Sequence, residues 1–204
     1  MKTIVVTGSE GFVGSFLIKH LKESLNKIIA VCHPLLLPKR GRYVPLDILN
    51  ADATRHVIKT YKPDIIFHLA AISSVAASFQ DRSLVYNTNI NGTLNLLEAA
   101  KSLNHRVTFF FISTCEVYGG GEYITESAPI VLKNPYAVSK YAAELICRDY
   151  GTENIDWLIL RPFNHTGPGQ SDNFVLPSIA RQVVEIEKRR RPPLVEIGNA
   201  EVTR

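Results

Sequence analysis

Thr3-Ile4-Val5-Val6-Thr7-Gly8-Ser9-Glu10-Gly11-Phe12-Val13-Gly14 decides the fold. The first five residues are all β-branched and read as a strand. A glycine loop follows at once, and Phe12, Phe16, Leu17 and Leu21 then recur at helical spacing. In such a loop one glycine lets the chain turn tightly, another lets the backbone approach a pyrophosphate, and the third lets helix and strand pack closely. The helix N-terminus then offers N–H groups and positive dipole to phosphates. The spacing is Gly-x2-Gly-x2-Gly rather than Gly-x-Gly-x2-Gly. Its place between a strand and a helix points to a dinucleotide cofactor, with Gly8, Gly11, Phe12, Val13 and Gly14 as the candidate cradle.

Outward from this unit, short apolar runs alternate with helical stretches. Strands are expected at Ile28–Cys32, Tyr43–Val44, Ile65–Leu69, Val107–Ile112 and Trp157–Leu160. Helices are expected at Ala51–Tyr61 with Asn50 as cap, about Thr88–Ser102, from about Pro135, and Asn173–Lys188. Val107–Ile112 is apolar without alternation, as in a central parallel strand buried on both faces. Repeated βα units predict an α/β fold, a doubly wound parallel sheet with helices on both sides. The composition shifts near Arg161, where Pro, Gly, Asn and Gln cluster. The expected organisation is a cofactor domain over residues 1–160 and a second lobe beginning at 161–204.

The 204 residues include 46% apolar and 21% charged side chains, which excludes disorder as the main state. No apolar run reaches membrane-spanning length, and the N-terminal run is too short for a signal peptide. The net charge of +4 suits anionic ligands but is weak for a nucleic-acid binder. Its densest run, Lys188-Arg189-Arg190-Arg191, reads as the last turn of a helix stopped by Pro192-Pro193. Cys32, Cys115 and Cys147 are odd in number and far apart, without disulfide or zinc spacing. A reducing cytoplasm is expected, and the six histidines indicate no metal site.

The second strand runs into Val31-Cys32-His33-Pro34, and no acid occurs between Lys27 and Leu46. NAD proteins often place a carboxylate there for the adenosine ribose. With His33, Lys39, Arg40 and Arg42 nearby instead, the reading leans to NADP(H) over NAD(H). Asp47, at the end of the third strand, is a candidate acceptor for the adenine amino group.

Tyr136-Ala137-Val138-Ser139-Lys140 places a phenol and an ammonium at i and i+4 on one helix face. A phenol near pKa 10 is a poor acid or base at neutral pH, and a neighbouring ammonium favours its phenolate. Thr114 and Glu116 stand in Ser113-Thr114-Cys115-Glu116-Val117-Tyr118-Gly119, at a strand's carboxyl end, where open α/β sheets bind ligands.

Together these segments resemble the extended short-chain dehydrogenase/reductase superfamily, in its nucleotide-sugar epimerase/dehydratase/reductase branch, which has a Rossmann-like sheet. The likeness spans the chain. It runs through the glycine loop, Leu46-Asp47-Ile48, His68-Leu69-Ala70-Ala71, Asn89-Ile90-Asn91-Gly92-Thr93, the Thr114 segment, Pro135-Tyr136-x3-Lys140 and Arg161-Pro162-Phe163-Asn164. Phe163-Asn164-His165-Thr166-Gly167-Pro168-Gly169-Gln170-Ser171 looks most like the GDP-6-deoxy-4-keto-mannose reductases, with Phe174-Val175 and Val195-Glu196-Ile197-Gly198-Asn199 in support. GDP-mannose 4,6-dehydratases are close kin.

The resemblance implies roles. Tyr136 would be the acid/base at the sugar O4, and Lys140 would hold the nicotinamide ribose and lower the Tyr136 pKa. Thr114 would hydrogen-bond the oxygen at C4. Asp47 and Ile48 would meet adenine, while Leu69, Ala70, Ala71 and Asn89 would line the cofactor cleft. Asn164 would contact the nucleotide-sugar, and Arg204 would grip its diphosphate. Glu116 matches the residue that removes the C5 proton in dehydratases. Cys115 stands where dTDP-glucose dehydratases carry Asp, which argues against that activity and decides nothing between the two GDP-sugar readings.

The implied activity is NAD(P)H-dependent reduction of a nucleotide-activated 4-keto-6-deoxy-hexose, of the GDP-4-keto-6-deoxy-mannose to GDP-rhamnose type. The alternatives are a GDP-mannose 4,6-dehydratase and a truncated, non-catalytic dinucleotide-binding module. Family members usually continue past the position of Arg204, so residues 161–204 would be the beginning of a truncated substrate lobe. The resemblance also implies a homodimer.

Overall fold

A computed structural model describes residues 1–38, 41–151 and 154–198. Two compact units divide the chain, Met1–Phe163 and Asn164–Arg204.

The first unit is built on six parallel strands. These are β1 (Thr3–Thr7), β2 (Lys27–Cys32), β3 (Val44–Pro45), β4 (Ile65–His68), β5 (Val107–Ile112) and β6 (Ile155–Leu160), in the order β3-β2-β1-β4-β5-β6. This is the doubly wound order, in which the chain leaves β1 in one direction and returns to its other side at β4. The switch point therefore falls between the carboxyl ends of β1 and β4. Val5 pairs with Ile29 and Ile66, and Ile66 with Phe109, so one buried row crosses the sheet.

The helices are α1 (Phe12–Leu21), α2 (Ala51–Tyr61), α3 (Val75–Gln80), α4 (Arg82–Tyr86), α5 (Gly92–Lys101) and α6 (Pro135–Tyr150). Asn50 caps α2 as expected, its Oδ1 accepting from Ala53 N–H at 2.9 Å. Asn134 caps α6 the same way toward Ala137 N–H at 2.7 Å, with Pro135 in the first turn. The helix expected from Thr88 is longer and irregular. It starts at α4, widens to a π-turn over Asn87–Asn91 and continues as α5, while α3 carried no sequence signal.

Helices cover the two sheet faces unequally. On one face Val57 and Ile58 of α2, Leu96 and Leu97 of α5, and Ala143 and Cys147 of α6 close the main core over Val5, Ile66, Phe109 and Ile155. On the other, Ile18 of α1 joins Ile4, Val6 and Ala30 in a smaller cluster. Val107, Phe109 and Phe111 on β5 are accordingly fully buried, while Thr108, Phe110 and Ile112 are half-buried. Beside them on β6, Leu158 and Leu160 are exposed.

The second unit holds α7 (Val175–Glu187). Gln182 is its one buried residue, and its amide mimics a strand partner. Its Nε2 donates to Glu196 O at 2.9 Å and its Oε1 accepts from Glu196 N–H at 2.8 Å. The basic run 188–191 lies beyond the helix rather than in its last turn, because α7 stops at Glu187 and Arg189 is left-handed (φ 55°). Arg191 pairs there with Glu196 at 3.4 Å.

Candidate active site

Gly8 ends β1 in a left-handed conformation (φ 63°). A Cβ there would stand 2.7 Å from Ala70 N, so the loop presses against the backbone leaving β4 at the switch point. A Cβ on Gly14 would lie 2.2 Å from Gly8 O, and only glycine lets α1 start this close to the loop. Ser9 ties the loop to β2, donating to Val31 O through both N–H (3.1 Å) and Oγ (2.8 Å). The first turn of α1 has no side-chain cap and no acid, which leaves its positive end facing the cleft. Cβ-free backbone, a bare helix start and the switch point together fit a dinucleotide pyrophosphate. Phe12 is half-buried and Val13 exposed at that start.

The cleft wall is set by a directional hydrogen-bond chain. Thr93 Oγ1 donates to Asn89 O (2.7 Å) and accepts from His68 Nε2 (3.0 Å). His68 Nδ1 then accepts from Thr7 Oγ1 (2.8 Å), and Thr7 Oγ1 accepts from Ala70 N–H (3.2 Å). The order requires a neutral ring, and burial, then Lys140, push the His68 pKa down to about 3. Leu69, Ala70 and Ala71 are thereby held half-buried at the end of β4. Asn89 serves this wall rather than standing open to a ligand. Its Oδ1 accepts from Ile72 N–H (2.9 Å), and its Nδ2 donates to Ile72 O (3.1 Å) and Ser139 Oγ (2.9 Å). Three of its four amide positions are thus used inside the protein.

At the end of β5, Thr114 is extended and its Oγ1 caps a 3-10 turn, Cys115–Tyr118, by accepting from Glu116 N–H (3.2 Å). The Thr114 hydroxyl lies near enough to the Tyr136 phenol to favour its ionised form. Glu116 accepts from Asn134 Nδ2 (3.0 Å), so the residue that caps α6 also fixes Glu116 beside Tyr136. The structure thus brings Thr114, Glu116 and Tyr136 together. Lys140 is one turn along α6, buried, with Nζ 4.3 Å from the centre of the Phe111 ring.

The electrostatics differ from the sequence expectation. Burial pushes the Tyr136 phenol up to about 12; the nearby Thr114 hydroxyl opposes this, and Glu116 and Cys115 add to it. Lys140 is not among the groups that move it. Burial also pulls Lys140 down to about 8, against the pull of Cys147 and Glu144. The ammonium expected to acidify the phenol is turned to the Phe111 face.

A second missed feature lies behind α6. Glu144 is fully buried and pairs with Arg161, accepting from Nε on Oε1 (2.9 Å) and from the terminal nitrogen on Oε2 (2.6 Å). Ser113 Oγ donates to the same Oε1, and Arg161 donates to Tyr118 Oη (2.8 Å). The pair locks α6 to the ends of β5 and β6. Arg161-Pro162 was readable as a motif, but nothing in the sequence joined it to Glu144.

The remaining candidates are dispersed. Asp47 closes a turn, its Oδ1 accepting from Leu49 N–H (2.9 Å). Ile48 is a core side chain packed where a Cβ on Gly92 would lie 2.4 Å from its Cδ1, so that side chain is not offered to adenine. His33 caps a short 3-10 turn, Pro34–Leu36, its Nδ1 accepting from Leu35 N–H (3.3 Å). Asn164 is exposed in the second unit. Lys39, Arg40, Asn199 and Arg204 lie outside the described residues.

The strand order, the glycine cradle at its switch point and the tyrosine beyond β5 define a dinucleotide-binding α/β protein of the Rossmann kind. Residues 4–204 match the NAD dependent epimerase/dehydratase family, and the chain belongs to it. It is 40% identical over 211 residues to the GDP-6-deoxy-D-mannose reductase of Pseudomonas aeruginosa, covering 98% of this chain and 64% of that protein. It is 30% identical to a dTDP-glucose 4,6-dehydratase of Neisseria meningitidis, over 87% of this chain and 57% of the relative. Among solved structures, RMD from P. aeruginosa complexed with NADPH superposes with a TM-score of 0.79 at 37% identity, over 94% of this chain and 63% of that one. The UDP-glucose 4-epimerase of Thermus thermophilus in complex with NAD gives 0.81 at 28%, over 92% and 63%. The chain thus spans somewhat under two thirds of the length of these relatives. No helix among the described residues is long and apolar enough to cross a membrane.

Proposed function

We propose that the protein is an NAD(P)H-dependent reductase of a nucleotide-activated 4-keto-6-deoxy-hexose, of the GDP-4-keto-6-deoxy-mannose type. The observation that carries this reading is the Thr114–Tyr136 pair at the end of β5, on a chain 40% identical to a reductase of that name. A reduced nicotinamide dinucleotide, NADPH or NADH, would supply the hydride for the C4 carbonyl carbon. Tyr136 gives its phenolic proton to the C4 oxygen, and ketone, hydride and proton together make the alcohol. Thr114 Oγ1 orients that oxygen toward the phenol. The cradle of Gly8, Gly11 and Gly14 holds the pyrophosphate, and Lys140 takes the nicotinamide ribose. Residues 1–160, which fall within the first unit, are the cofactor domain in this reading, and residues 161–204 belong to the substrate lobe.

A phenol held near pKa 12 keeps its proton at neutral pH, which suits an acid better than a base. Glu116, fixed by Asn134 next to Tyr136, favours the dehydratase as the second reading, with Glu116 taking the C5 proton. Location in the cytoplasm is part of the proposal, supported by three cysteines that form no disulfide.

The test is oxidation of NADPH and NADH, followed by fluorescence, with GDP-4-keto-6-deoxy-mannose. Stoichiometric consumption, lowered by about 10²–10⁴ in Tyr136→Phe, is the expected result. Water elimination from GDP-mannose without net cofactor consumption supports the dehydratase instead. Cofactor binding without either turnover supports a non-catalytic module.

A further inference from the structure

The amino-terminal edge of the sheet lies opposite the glycine loop and Tyr136. Three neighbouring strands each carry a lysine at their entry there: Lys27 in β2, Lys2 before β1 and Lys62 before β4. The backbone joins these entries directly, Lys27 N–H donating to Lys2 O at 2.9 Å and Asp64 N–H to Thr3 O at 2.9 Å. Lys19 and Lys22 at the end of α1, and Lys59 in the last turn of α2, come down to the same edge. All six lysines are exposed, and among the described residues none is in an ion pair. Lys27 also lies 5.8 Å from the centre of the Tyr61 ring. The acids beside them are Glu23, which is exposed, and Asp64, whose Oδ2 accepts from Thr3 N–H at 2.7 Å. Further along, at β5, Arg106 is neutralised by Asp156.

Two apolar side chains project from this basic edge. Met1 is 97% and Leu25 92% exposed. The turn that carries Leu25 is pinned on both sides. Ser24 N–H donates to Leu21 O at 3.0 Å, and Asn26 Nδ2 donates to Ser24 Oγ at 3.2 Å. Asn26 Oδ1 accepts from Lys2 N–H at 3.0 Å, which sets Met1 beside the turn. A leucine held out in water by its own turn adds nothing to the core. Cations at helix ends suit the dipole, which accounts for Lys19 and Lys59. It accounts neither for Lys2 and Lys27, which belong to strand entries, nor for the two apolar tips. Apolar tips ringed by lysines match the interface of an anionic bilayer. The tips enter the acyl boundary and the ammonium groups stay among the headgroup phosphates. A nucleic acid fits less well, because no exposed Phe, Tyr or Trp stands at this edge among the described residues for a base to stack on.

We propose that this edge docks the protein reversibly on an anionic phospholipid surface, with Met1 and Leu25 entering the interface and the six lysines facing the headgroups. Open α/β sheets bind their ligands beyond the carboxyl ends of the strands. The docked protein therefore keeps its cleft turned away from the membrane and open to solution. Two apolar side chains grip a bilayer weakly, and the lysines alone are screened by salt, so attachment needs both parts. The inference is independent of the reductase reading. It escaped the sequence because Lys2, Lys27 and Lys62 stand far apart in the chain and meet only when β2, β1 and β4 pair.

The experiment is co-sedimentation of the full chain with vesicles of phosphatidylcholine alone, and of phosphatidylcholine with about three parts in ten phosphatidylglycerol. The parent should partition onto the anionic vesicles at least about tenfold more than onto the neutral ones at about 0.1 M salt, and lose this excess at about 0.5 M. Leu25→Ser should weaken the anionic binding about fivefold, and Lys2→Gln with Lys27→Gln at least about tenfold. Arg82→Gln with Lys133→Gln removes the same charge elsewhere on the surface and should leave binding within about twofold of the parent's. All five positions are exposed, and melting temperatures equal to the parent's show that the variants are folded. No excess on the anionic vesicles overturns the proposal. Binding that Leu25→Ser leaves unchanged, or that the second pair weakens as much as the first, also overturns it, because diffuse attraction to any polyanion then suffices. Tighter binding of a single-stranded oligonucleotide than of the vesicles assigns the edge to nucleic acid and overturns it as well. None of these outcomes touches the reductase reading.

Discussion

Lys140 is held wholly inside the protein against the Phe111 ring, where its charge is poorly solvated. Its pKa falls from 10.5 to about 8. At about 1.4 kcal/mol per pH unit, folding with this ammonium charged costs on the order of 3 kcal/mol. Between those pH values the unfolded chain binds a proton that the folded chain lacks, so stability rises with pH through that window. Lys140→Met should therefore melt at a higher temperature than the parent at pH 7, with the gap closing from pH 8 to 10.5, and should lose turnover. Scanning calorimetry across that range checks the sign. His68 obeys the same rule in acid. Its pKa falls from 6.5 to about 3, so below pH 6.5 the unfolded state gains a proton that the folded state refuses. Stability should drop toward pH 3 by up to about 1.4 kcal/mol per unit from this group. Nitrogen-15 shifts should show an unprotonated Nδ1 at pH 5, as the Thr7–His68–Thr93 order demands.

Helix α6 carries Tyr136 and Lys140, and its placement depends on pairs that a local reading cannot supply. Asn134 fixes its start and, through Glu116, the turn after β5. Glu144 and Arg161 fix its middle to the ends of β5 and β6. Breaking one partner of a buried pair strands the other charge, typically for about 3–5 kcal/mol. Glu144→Gln and Arg161→Met should each lower the urea midpoint accordingly. The double variant should lose less than the sum, and strict additivity would mean that the pair is not coupled. Both ends of α2 and the start of α6 were legible because an Asn cap and a first-turn Pro act within three residues. The course of α3 and α4 into the π-turn was not, because contacts with α6 and the Asn89 pin to Ser139 decide it.

On the scale of the molecule, apolar surface is unevenly distributed. Helices α3, α4 and α6 pack on one another and leave Phe79, Leu84, Val138 and Leu145 exposed. Such surface favours association, and the homodimer implied by the resemblance would cover it. Sedimentation should give a dimer at micromolar concentration. Leu84→Glu with Leu145→Glu should give a monomer whose melting temperature stays within a few degrees of the parent's. A parent that sediments as a monomer would remove the dimer.

The sequence by itself determined the parallel sheet, because β-branched runs, helical periodicity and a glycine loop are local signals that agree with one another. It also marked Thr114, Glu116, Tyr136 and Lys140, whose spacing places each at a strand end or on one helix face. Only the tertiary structure decided what those groups experience. Burial raises the Tyr136 phenol and turns Lys140 to Phe111, and it makes Asn89 a pin and Ile48 a core side chain. Desolvation and long-range pairing depend on which distant segments close over a residue, and no window of sequence contains them.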